Sequence, residues 1–258
     1  MLKLARRAYL ALALFASLAA GLVAPGLAQA QVPYLSLPAS EPKYAAIVVD
    51  ANTGEVLYAK RADSPRYPAS ITKVMTMYLV MEAMSEGRVK PTDMVTISAR
   101  AASQPPTKLG VAAGDQVSVD DALKALATRS ANDMAVALAE HIGGTEQRFA
   151  ALMTLRGQEL GMSNTRFMNA SGLPDSRQIS SARDIAIMSR AVMRDFPQYY
   201  GYFSIKSFTF RGRLITGHNR LMGQFAGMDG LKTGYINASG FNLAASAVRD
   251  GRRLIAVV

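Results

Sequence analysis

The chain changes twice between apolar runs typical of strands and apolar residues at helical spacing. Its first apolar runs, residues 45–49 and 56–59, flank a turn that contains Asn52, Thr53 and Gly54. Short apolar and β-branched runs on either side of turn-forming residues predict a β-hairpin. We therefore expect the folded part of the chain to open with sheet.

The middle of the chain has the helical pattern. From Ser70, apolar residues such as Val74, Met77 and Tyr78 recur at helical spacing until about Gly87. This pattern predicts a long, mostly buried helix that begins near Ser70, with its methionines in the core. Four more stretches follow the same period, over residues 122–126, 132–139, 149–155 and 181–192.

Two of these stretches are preceded by residues that can cap a helix. Ser118 or Asp120 can cap the first of them. Ser181 lies three residues before Asp184, which is the spacing of a capping box. Ser130 falls in the break between the first two stretches.

Strand-like runs return after Tyr202, separated by Gly and Asn, over residues 208–210, 214–216, 231–236, 243–247 and 254–258. Strands, then helices, then strands predict a mixed α/β protein of the α+β type. In this fold, one antiparallel sheet is assembled from both ends of the sequence, and helices cover its faces. Because an apolar strand normally leads into another element, we expect the domain to continue beyond Val258.

The first thirty residues have the composition of a secretory signal peptide. Lys3, Arg6 and Arg7 precede a long apolar run, and small residues lead up to Ala30. We expect cleavage after Ala30, and export to the periplasm or the outer face of the cytoplasmic membrane. An uncleaved membrane anchor is the alternative, because the apolar run could almost span a bilayer.

The rest of the chain divides near residue 43. Residues 31–43 contain three prolines among small polar residues, which predicts an extended lead-in. Residues 44–258 are expected to form one folded domain.

The chain has no cysteine and only two histidines, His141 and His218. Cysteine can therefore be neither nucleophile nor disulfide partner, and a zinc site with the usual ligands is hard to build. We expect no metal and no cofactor. His141, at a predicted helix end, is interpreted as a surface or capping residue.

The formal charge of the chain is +10, and +7 remains once residues 1–30, with three basic residues and no acidic one, are set aside. An excess of positive charge suits an anionic envelope polymer or a membrane surface. The basic residues are scattered rather than gathered into a stripe with aromatic residues, so no nucleic-acid partner is predicted.

Three short motifs occur in order along the chain: Ser70-Ile71-Thr72-Lys73, Ser130-Ala131-Asn132 and Lys232-Thr233-Gly234. Each motif alone is a weak signal, because a serine and a lysine three residues apart often occur by chance. Together they match the motif set of β-lactamases and penicillin-binding proteins, with the first at a helix start, the second in an interhelical break and the third on a strand. A nucleotide-binding P-loop is excluded, because Leu231 rather than glycine precedes the lysine.

The spacing of the first motif places a base beside a nucleophile. Residues i and i+3 of a helix lie on one face, so Lys73 can reach Ser70 and, when neutral, take its proton. Burial and a second cation, for which Lys232 is the candidate, would both lower the pKa of Lys73. The backbone N–H groups of Ser70 and Tyr235 are the predicted donors to an oxyanion.

The other two motifs contribute a proton donor and substrate-binding groups. Ser130 is expected to pass a proton to the leaving amine, and Asn132 to hold the substrate amide and order the base. Lys232 and Thr233 offer a cation and a hydroxyl to a substrate carboxylate, and Gly234 lets the strand backbone approach the ligand closely. A terminal carboxylate is therefore the predicted recognition element.

Longer stretches extend these motifs, over residues 68–76, 130–133, 138–140, 182–184, 218–221 and 229–235. Through them, nearly all of residues 40–258 resembles the D-alanyl-D-alanine carboxypeptidases among the low-molecular-mass penicillin-binding proteins. The resemblance implies a β-lactamase/transpeptidase-like fold, with an antiparallel sheet flanked by helices and a helical subdomain. It also implies acylation of Ser70, release of the last D-alanine from peptidoglycan pentapeptide stems, hydrolysis of the acyl-enzyme, and covalent trapping by β-lactam antibiotics.

Two features depart from the family pattern. Such proteins usually continue into a closing helix, and often into a β-rich C-terminal domain with an amphipathic membrane-binding tail. Association with a membrane surface is therefore expected only through a region beyond Val258. The middle motif of the family is often Ser-Gly-Asn, whereas Ala131 holds its central place here.

Three alternative functions would use the same residues. A D,D-endopeptidase acting on cross-linked peptidoglycan has the same machinery. A class A-like β-lactamase would normally have Asp in place of Ala131 and a dedicated glutamate, and the chain has no Glu-x-x-Leu-Asn segment. A non-catalytic wall-binding protein could keep the fold, but it would not need every residue of the three motifs to be intact.

Overall fold

The computed structural model describes residues 43–258. The predicted signal peptide, residues 1–30, and all but the last residue of the predicted lead-in, residues 31–43, lie outside the described residues. The strands are β1 (Ala46–Asp50), β2 (Val56–Lys60), β3 (Met94–Thr96), β4 (Gln116–Ser118), β5 (Ser207–Phe210), β6 (Arg213–Thr216), β7 (Met228–Ile236), β8 (Gly240–Arg249) and β9 (Arg252–Val257).

The α-helices are α1 (Lys73–Ser85), α2 (Ala99–Ala102), α3 (Val119–Arg129), α4 (Asn132–Gly143), α5 (Glu146–Glu159) and α6 (Ala182–Asp195). Short 3-10 helices occur at Ala69–Thr72, Pro197–Ser204 and Arg220–Gly223. In the described part of the chain, no helix is both long and apolar enough to cross a membrane.

Five strands form the main sheet in the order β2-β1-β9-β8-β7, and each neighbouring pair is antiparallel. β1 pairs with β2 through the predicted hairpin. On its other side, β1 pairs with β9, and Ile47 of β1 lies opposite Val257 of β9. The predicted antiparallel sheet, assembled from both ends of the sequence, is therefore confirmed. β7, which carries the third motif, lies at one edge of this sheet.

The prediction of a single sheet was wrong for two strands. β5 and β6 pair with each other as a separate two-stranded ribbon and do not join the main sheet. β3 and β4 form another small ribbon, which the apolar pattern did not predict. Strands of three residues are too short to show a period, so the sequence carries no clear signal for them.

The predicted helices are present, and they form two groups. α1 is buried along nearly its whole length and packs against α3, α4 and α5, which together make a helical subdomain. α6 packs against β1 and β9 on the main sheet. The predicted α+β arrangement of a helix-flanked antiparallel sheet is confirmed.

The predicted caps are only partly as expected. Ser118 caps α3, and Ser181 caps α6 by accepting the backbone N–H of Asp184 at 3.1 Å. The carboxylate of Asp184 does not complete a capping box, because it accepts the N–H of Asn164 and the hydroxyl of Thr165 instead. This side chain ties α6 to a neighbouring loop rather than to its own N-terminus.

Candidate active site

Ser70 lies in the 3-10 turn that leads directly into α1. The turn begins with Ala69 in the left-handed region, at a φ of 46°, which a non-glycine residue adopts only at a cost in free energy. Gly172 passes so close that a Cβ on it would lie 1.9 Å from the carbonyl oxygen of Ala69. The crossing segment therefore supports the turn that presents Ser70.

Lys73 is fully buried, and its Nζ contacts three oxygen atoms. Nζ lies 3.2 Å from Ser70 Oγ and 2.7 Å from Asn132 Oδ1, and it also contacts the carbonyl oxygen of Ser171. Asn132 Nδ2 donates to the Pro105 carbonyl at 2.9 Å, which fixes the orientation of this amide. The amide and carbonyl oxygens can only accept, so a neutral amine donates its two N–H groups to them and directs its lone pair at Ser70.

Two effects favour the neutral form of Lys73. Burial lowers its pKa well below the usual value, and repulsion from Lys232 lowers it further, while the negative charge of Asp133 acts in the opposite direction. A lysine in this setting is more readily neutral than an exposed lysine, and the neutral amine can act as a base.

Ser130 occupies the C-cap of α3 with a φ of 59°, in the break between α3 and α4. Its hydroxyl is buried and has no hydrogen-bond partner among the described residues. An unpaired buried hydroxyl that lines an open cleft is available to a ligand atom.

The third motif lies on β7. Burial lowers the pKa of Lys232 to about 7, and its Nζ donates to the Thr233 carbonyl at 2.8 Å. Gly234 lies against the serine turn, because a Cβ there would be 3.0 Å from the backbone N of Ser70. A side chain at Gly234 would therefore press the strand away from the turn.

The three motifs meet at one cleft of about 440 Å³. The predicted site residues that line it are Ser70, Ser130, Asn132, Thr233, Gly234 and Tyr235. Lys73 and Lys232 are buried residues bonded to groups of this cleft. The structure thus places all eight predicted site residues together.

The cleft also has walls that the motif analysis did not assign: Pro106, Thr107, Gly172, Leu173, His218, Ile236 and Phe241. Most of these residues lie in loops without a recognisable pattern, so no sequence signal marks them. His218 belongs to a stretch that resembles the family, but the resemblance gave it no role. In the part of the chain that the structure describes, no group of three or more His, Cys, Asp or Glu could hold a metal ion.

His218 joins the wall that carries the second motif. Its backbone N–H donates to the carbonyl oxygen of Thr128 at 3.3 Å, and its Nε2 lies 3.4 Å from Arg129 Nη1. Desolvation, Lys232 and Arg129 lower the pKa of His218. Arg129 and the protonated form of Lys232 thus bring positive charge to this part of the cleft, which suits an anionic group.

Comparison with known proteins agrees with this geometry. Residues 36–258 match the profile of the peptidase family described as D-alanyl-D-alanine carboxypeptidase. The chain belongs to this D-alanyl-D-alanine carboxypeptidase family. It is 40% identical over 264 residues to the D-alanyl-D-alanine carboxypeptidase DacD of Salmonella typhimurium, a match that covers 99% of this chain and 66% of that protein.

Solved structures of penicillin-binding proteins share the fold. Penicillin binding protein 5 from Haemophilus influenzae has a TM-score of 0.81 and 39% identity, with 86% of this chain and 66% of that chain covered. Penicillin-Binding Protein D2 from Listeria monocytogenes, in an ampicillin-bound form, has a TM-score of 0.72 and 30% identity, with 86% of this chain and 91% of that chain covered. The predicted β-lactamase/transpeptidase-like fold is confirmed.

The chain is shorter than the carboxypeptidases of the family that it matches. It spans 66%, 56% and 62% of the lengths of the relatives from Salmonella typhimurium, Bacillus subtilis and Escherichia coli.

Proposed function

We propose that the protein is a serine-type D-alanyl-D-alanine carboxypeptidase that removes the terminal D-alanine from peptidoglycan pentapeptide stems. The observation that carries this proposal is the contact of 3.2 Å between Lys73 Nζ and Ser70 Oγ. Because both N–H groups of a neutral Lys73 are used by fixed acceptors, its lone pair is directed at the serine proton. Membership of the carboxypeptidase family supports the reaction class.

The acylation step follows from this arrangement. Lys73 takes the proton of Ser70, and Oγ attacks the carbonyl carbon of the penultimate D-alanine. The backbone N–H groups of Ser70 and Tyr235 stabilise the resulting oxyanion. Ser130 donates a proton to the nitrogen of the leaving D-alanine as the peptide bond breaks, and it regains a proton from the Lys73 ammonium that formed when Ser70 was deprotonated. Water then adds to the ester carbonyl and gives a proton to the neutral Lys73, and the ester C–O bond breaks as Ser70 Oγ takes that proton back.

The leaving residue is recognised by its free carboxylate. Lys232, with a pKa of about 7, carries a positive charge under neutral to acidic conditions. Thr233 lines the cleft beside it and offers a hydroxyl, while Asn132 holds the substrate amide. Gly234 keeps the backbone of β7 close to Ser70, so the recognised end and the reacting bond lie within one small site.

β-Lactam antibiotics are proposed to acylate the same serine. Two structures of the Listeria monocytogenes relative are described as ampicillin-bound and cefotaxime-bound forms. We propose export to the periplasm or the outer face of the cytoplasmic membrane, on the basis of the signal-like composition of residues 1–30.

The proposal is tested with Ser70→Ala in the full chain. We expect the variant to lose all covalent labelling by a fluorescent penicillin and all release of D-alanine from a pentapeptide. Ser85→Ala, at the exposed far end of α1, is the matched control and should retain both activities. Label that persists in Ser70→Ala would show that another residue is the nucleophile.

Mass analysis of purified wall fragments distinguishes the reaction types. Loss of one alanine from pentapeptide stems supports the proposal. Cleavage of cross-linked dimers without loss of alanine would instead identify an endopeptidase. Labelling without any change in the fragments would identify a protein that binds but does not process the wall.

A further inference from the structure

A buried carboxylate lies next to the candidate site and has no role in the reaction proposed above. Asp133, the second residue of α4, is fully buried, and no Lys or Arg of the described residues forms an ion pair with it. Its Oδ1 accepts the N–H groups of Leu109 at 3.0 Å and Met134 at 2.9 Å. Its Oδ2 accepts the N–H of Gly110 at 2.8 Å. The hydrogen bonds that stabilise this carboxylate therefore all come from backbone N–H groups.

Two of these donors belong to residues 105–110, which we call the wall segment. Its residues Pro106 and Thr107 line the cleft. The hydroxyl of Thr107 donates to the Ser130 carbonyl at 3.1 Å, and the carbonyl of Thr107 accepts the N–H of Asn132 at 2.7 Å. The wall segment is thus attached to the second motif at one end and to Asp133 at the other.

The wall segment also controls the direction of the Asn132 amide. The carbonyl of Pro105 accepts a hydrogen bond from Asn132 Nδ2 at 2.9 Å, so Oδ1 must face Lys73. A shift of the wall segment would release this amide. Lys73 would then lose one of the two acceptors that direct its lone pair at Ser70.

We infer that Asp133 is a positioning residue, whose carboxylate holds the wall segment in place and thereby orients Asn132 towards the catalytic lysine. This inference rests on the function proposed for Ser70 and Lys73. It adds a residue that touches neither the substrate nor the reacting atoms.

The charge of Asp133 has a second effect on the same lysine. Burial and Lys232 lower the pKa of Lys73, and Asp133 raises it. A base whose pKa falls far below the working pH is neutral but weak, whereas a base with a higher pKa accepts the proton more readily. The negative charge of Asp133 therefore moderates the loss of basicity that burial causes.

The competing explanation is that Asp133 only stabilises the N-terminus of α4, where a negative charge is favourable. Asp184 provides a matched control for this explanation. It is also a buried carboxylate in the first turn of a helix, α6, and it accepts a loop N–H at 2.8 Å. It does not line the cleft and makes no contact with the wall segment in the described structure.

The test compares Asp133→Asn with Asp184→Asn in the full chain. The N–H groups of Leu109 and Gly110 bond to different oxygens of the carboxylate, so Asn at position 133 places its NH2 group against one of them and that bond is lost. We expect the rate of covalent labelling by a fluorescent penicillin at saturating concentration to fall by about tenfold or more in Asp133→Asn. The acidic limb of its pH profile should move to lower pH, because the carboxylate that raises the pKa of Lys73 is gone.

Asp184→Asn should lose thermal stability while its labelling rate and pH profile match those of the wild type. If Asp133→Asn also matches the wild type in both respects, Asp133 has only a structural role and the inference is overturned. If the wild type itself takes no label, the proposed function is overturned. If the wild type is labelled and Asp133→Asn is labelled equally fast with the same pH profile, only the role inferred for Asp133 is overturned.

A second variant covers the case in which Asp133→Asn does not fold. Thr107→Val removes the bond from the wall segment to the Ser130 carbonyl but keeps the charge of Asp133. We expect a lower labelling rate with an unchanged acidic limb. A labelling rate equal to that of the wild type would overturn the positioning role of the wall segment.

Discussion

Lys73 and Lys232 are both buried at the same cleft, and their surroundings prepare them for different tasks. Lys73 is held by two acceptors and the hydroxyl of Ser70, and its pKa is lowered by burial and by the second lysine. Lys232 donates to a neighbouring carbonyl, and burial lowers its pKa to about 7. The first lysine suits proton transfer, and the second suits the binding of an anion whenever it is charged.

A prediction at the residue scale concerns the preference for a free carboxylate. Lys232 is charged below a pH of about 7 and neutral above it, so binding of a carboxylate weakens as the pH rises through this value. The ratio of kcat/KM for a peptide with a free terminal carboxylate to that of its amidated analogue should therefore fall between about pH 6 and about pH 8.

Lys232→Ala should remove this pH dependence and reduce kcat/KM for the free carboxylate by the equivalent of about 1.5–3 kcal/mol, with a smaller loss for the amide. Lys90→Ala, at an exposed position, is the control and should behave as the wild type. Equal losses for the two peptides in Lys232→Ala would contradict carboxylate recognition by this lysine.

At the scale of elements, the serine turn depends on the segment that crosses it. Gly172 has a φ of 83°, and a Cβ on it would lie 1.9 Å from the Ala69 carbonyl oxygen. The backbone of the turn would have to move to admit a methyl group. Since Ser70 follows Ala69 directly, such a movement displaces the nucleophile.

We predict that Gly172→Ala abolishes penicillin labelling and lowers the melting temperature. Gly114→Ala is the matched control, because Gly114 has a similar φ of 88° but open space around its Cβ position. That variant should lose only about 1–2 kcal/mol of stability from the left-handed backbone and keep its labelling rate. Equal effects of the two substitutions would show that the close approach at Gly172 is unimportant.

Elements differed in how well the sequence predicted them. α1 and α6 were predicted because long helices repeat their apolar spacing several times. β5 and β6 were recognised as strands, but their assignment to the main sheet was wrong, since apolar content does not say which strands pair. Ser181 was identified as a cap, while the partners of Asp184 could not be predicted because they come from a distant loop.

At the scale of the whole molecule, the two ends of the described chain are held together. β1 pairs with β9, and Asp50 at the end of β1 accepts a bond of 2.7 Å from Arg252 Nε at the start of β9. The same carboxylate accepts the N–H groups of Asn52 and Thr53 in the first hairpin turn. These bonds lower the pKa of Asp50 to about 2.

This pKa predicts a pH-dependent contribution to stability. A carboxyl group whose pKa is lower in the folded state than in the unfolded state stabilises the folded protein at pH values above the unfolded-state pKa, which is 3.8 here. This contribution to the free energy of unfolding disappears as the pH falls towards the folded-state pKa of about 2. Asp50→Asn should therefore be less stable than the wild type to denaturant at neutral pH, and the difference should narrow below about pH 4. Asp250→Asn, at an exposed position in the turn before β9, is the control and should be as stable as the wild type. If the difference in stability between Asp50→Asn and the wild type stays constant with pH, the lowered pKa of Asp50 is contradicted.

The sequence by itself determined the order of the long helices and of the main-sheet strands, and the three motifs with their chemical types, because these depend on local periodicity and on residue identity. It also indicated that Ser70 and Lys73 share a helix face, since three residues separate them. Only the tertiary structure decided which walls the cleft has, that the Ser171 carbonyl joins Asn132 as an acceptor for Lys73, and that Asp133 and Gly172 support the site. Those contacts join residues far apart in the chain, and their partners are backbone groups that every residue type carries, so no sequence pattern identifies them.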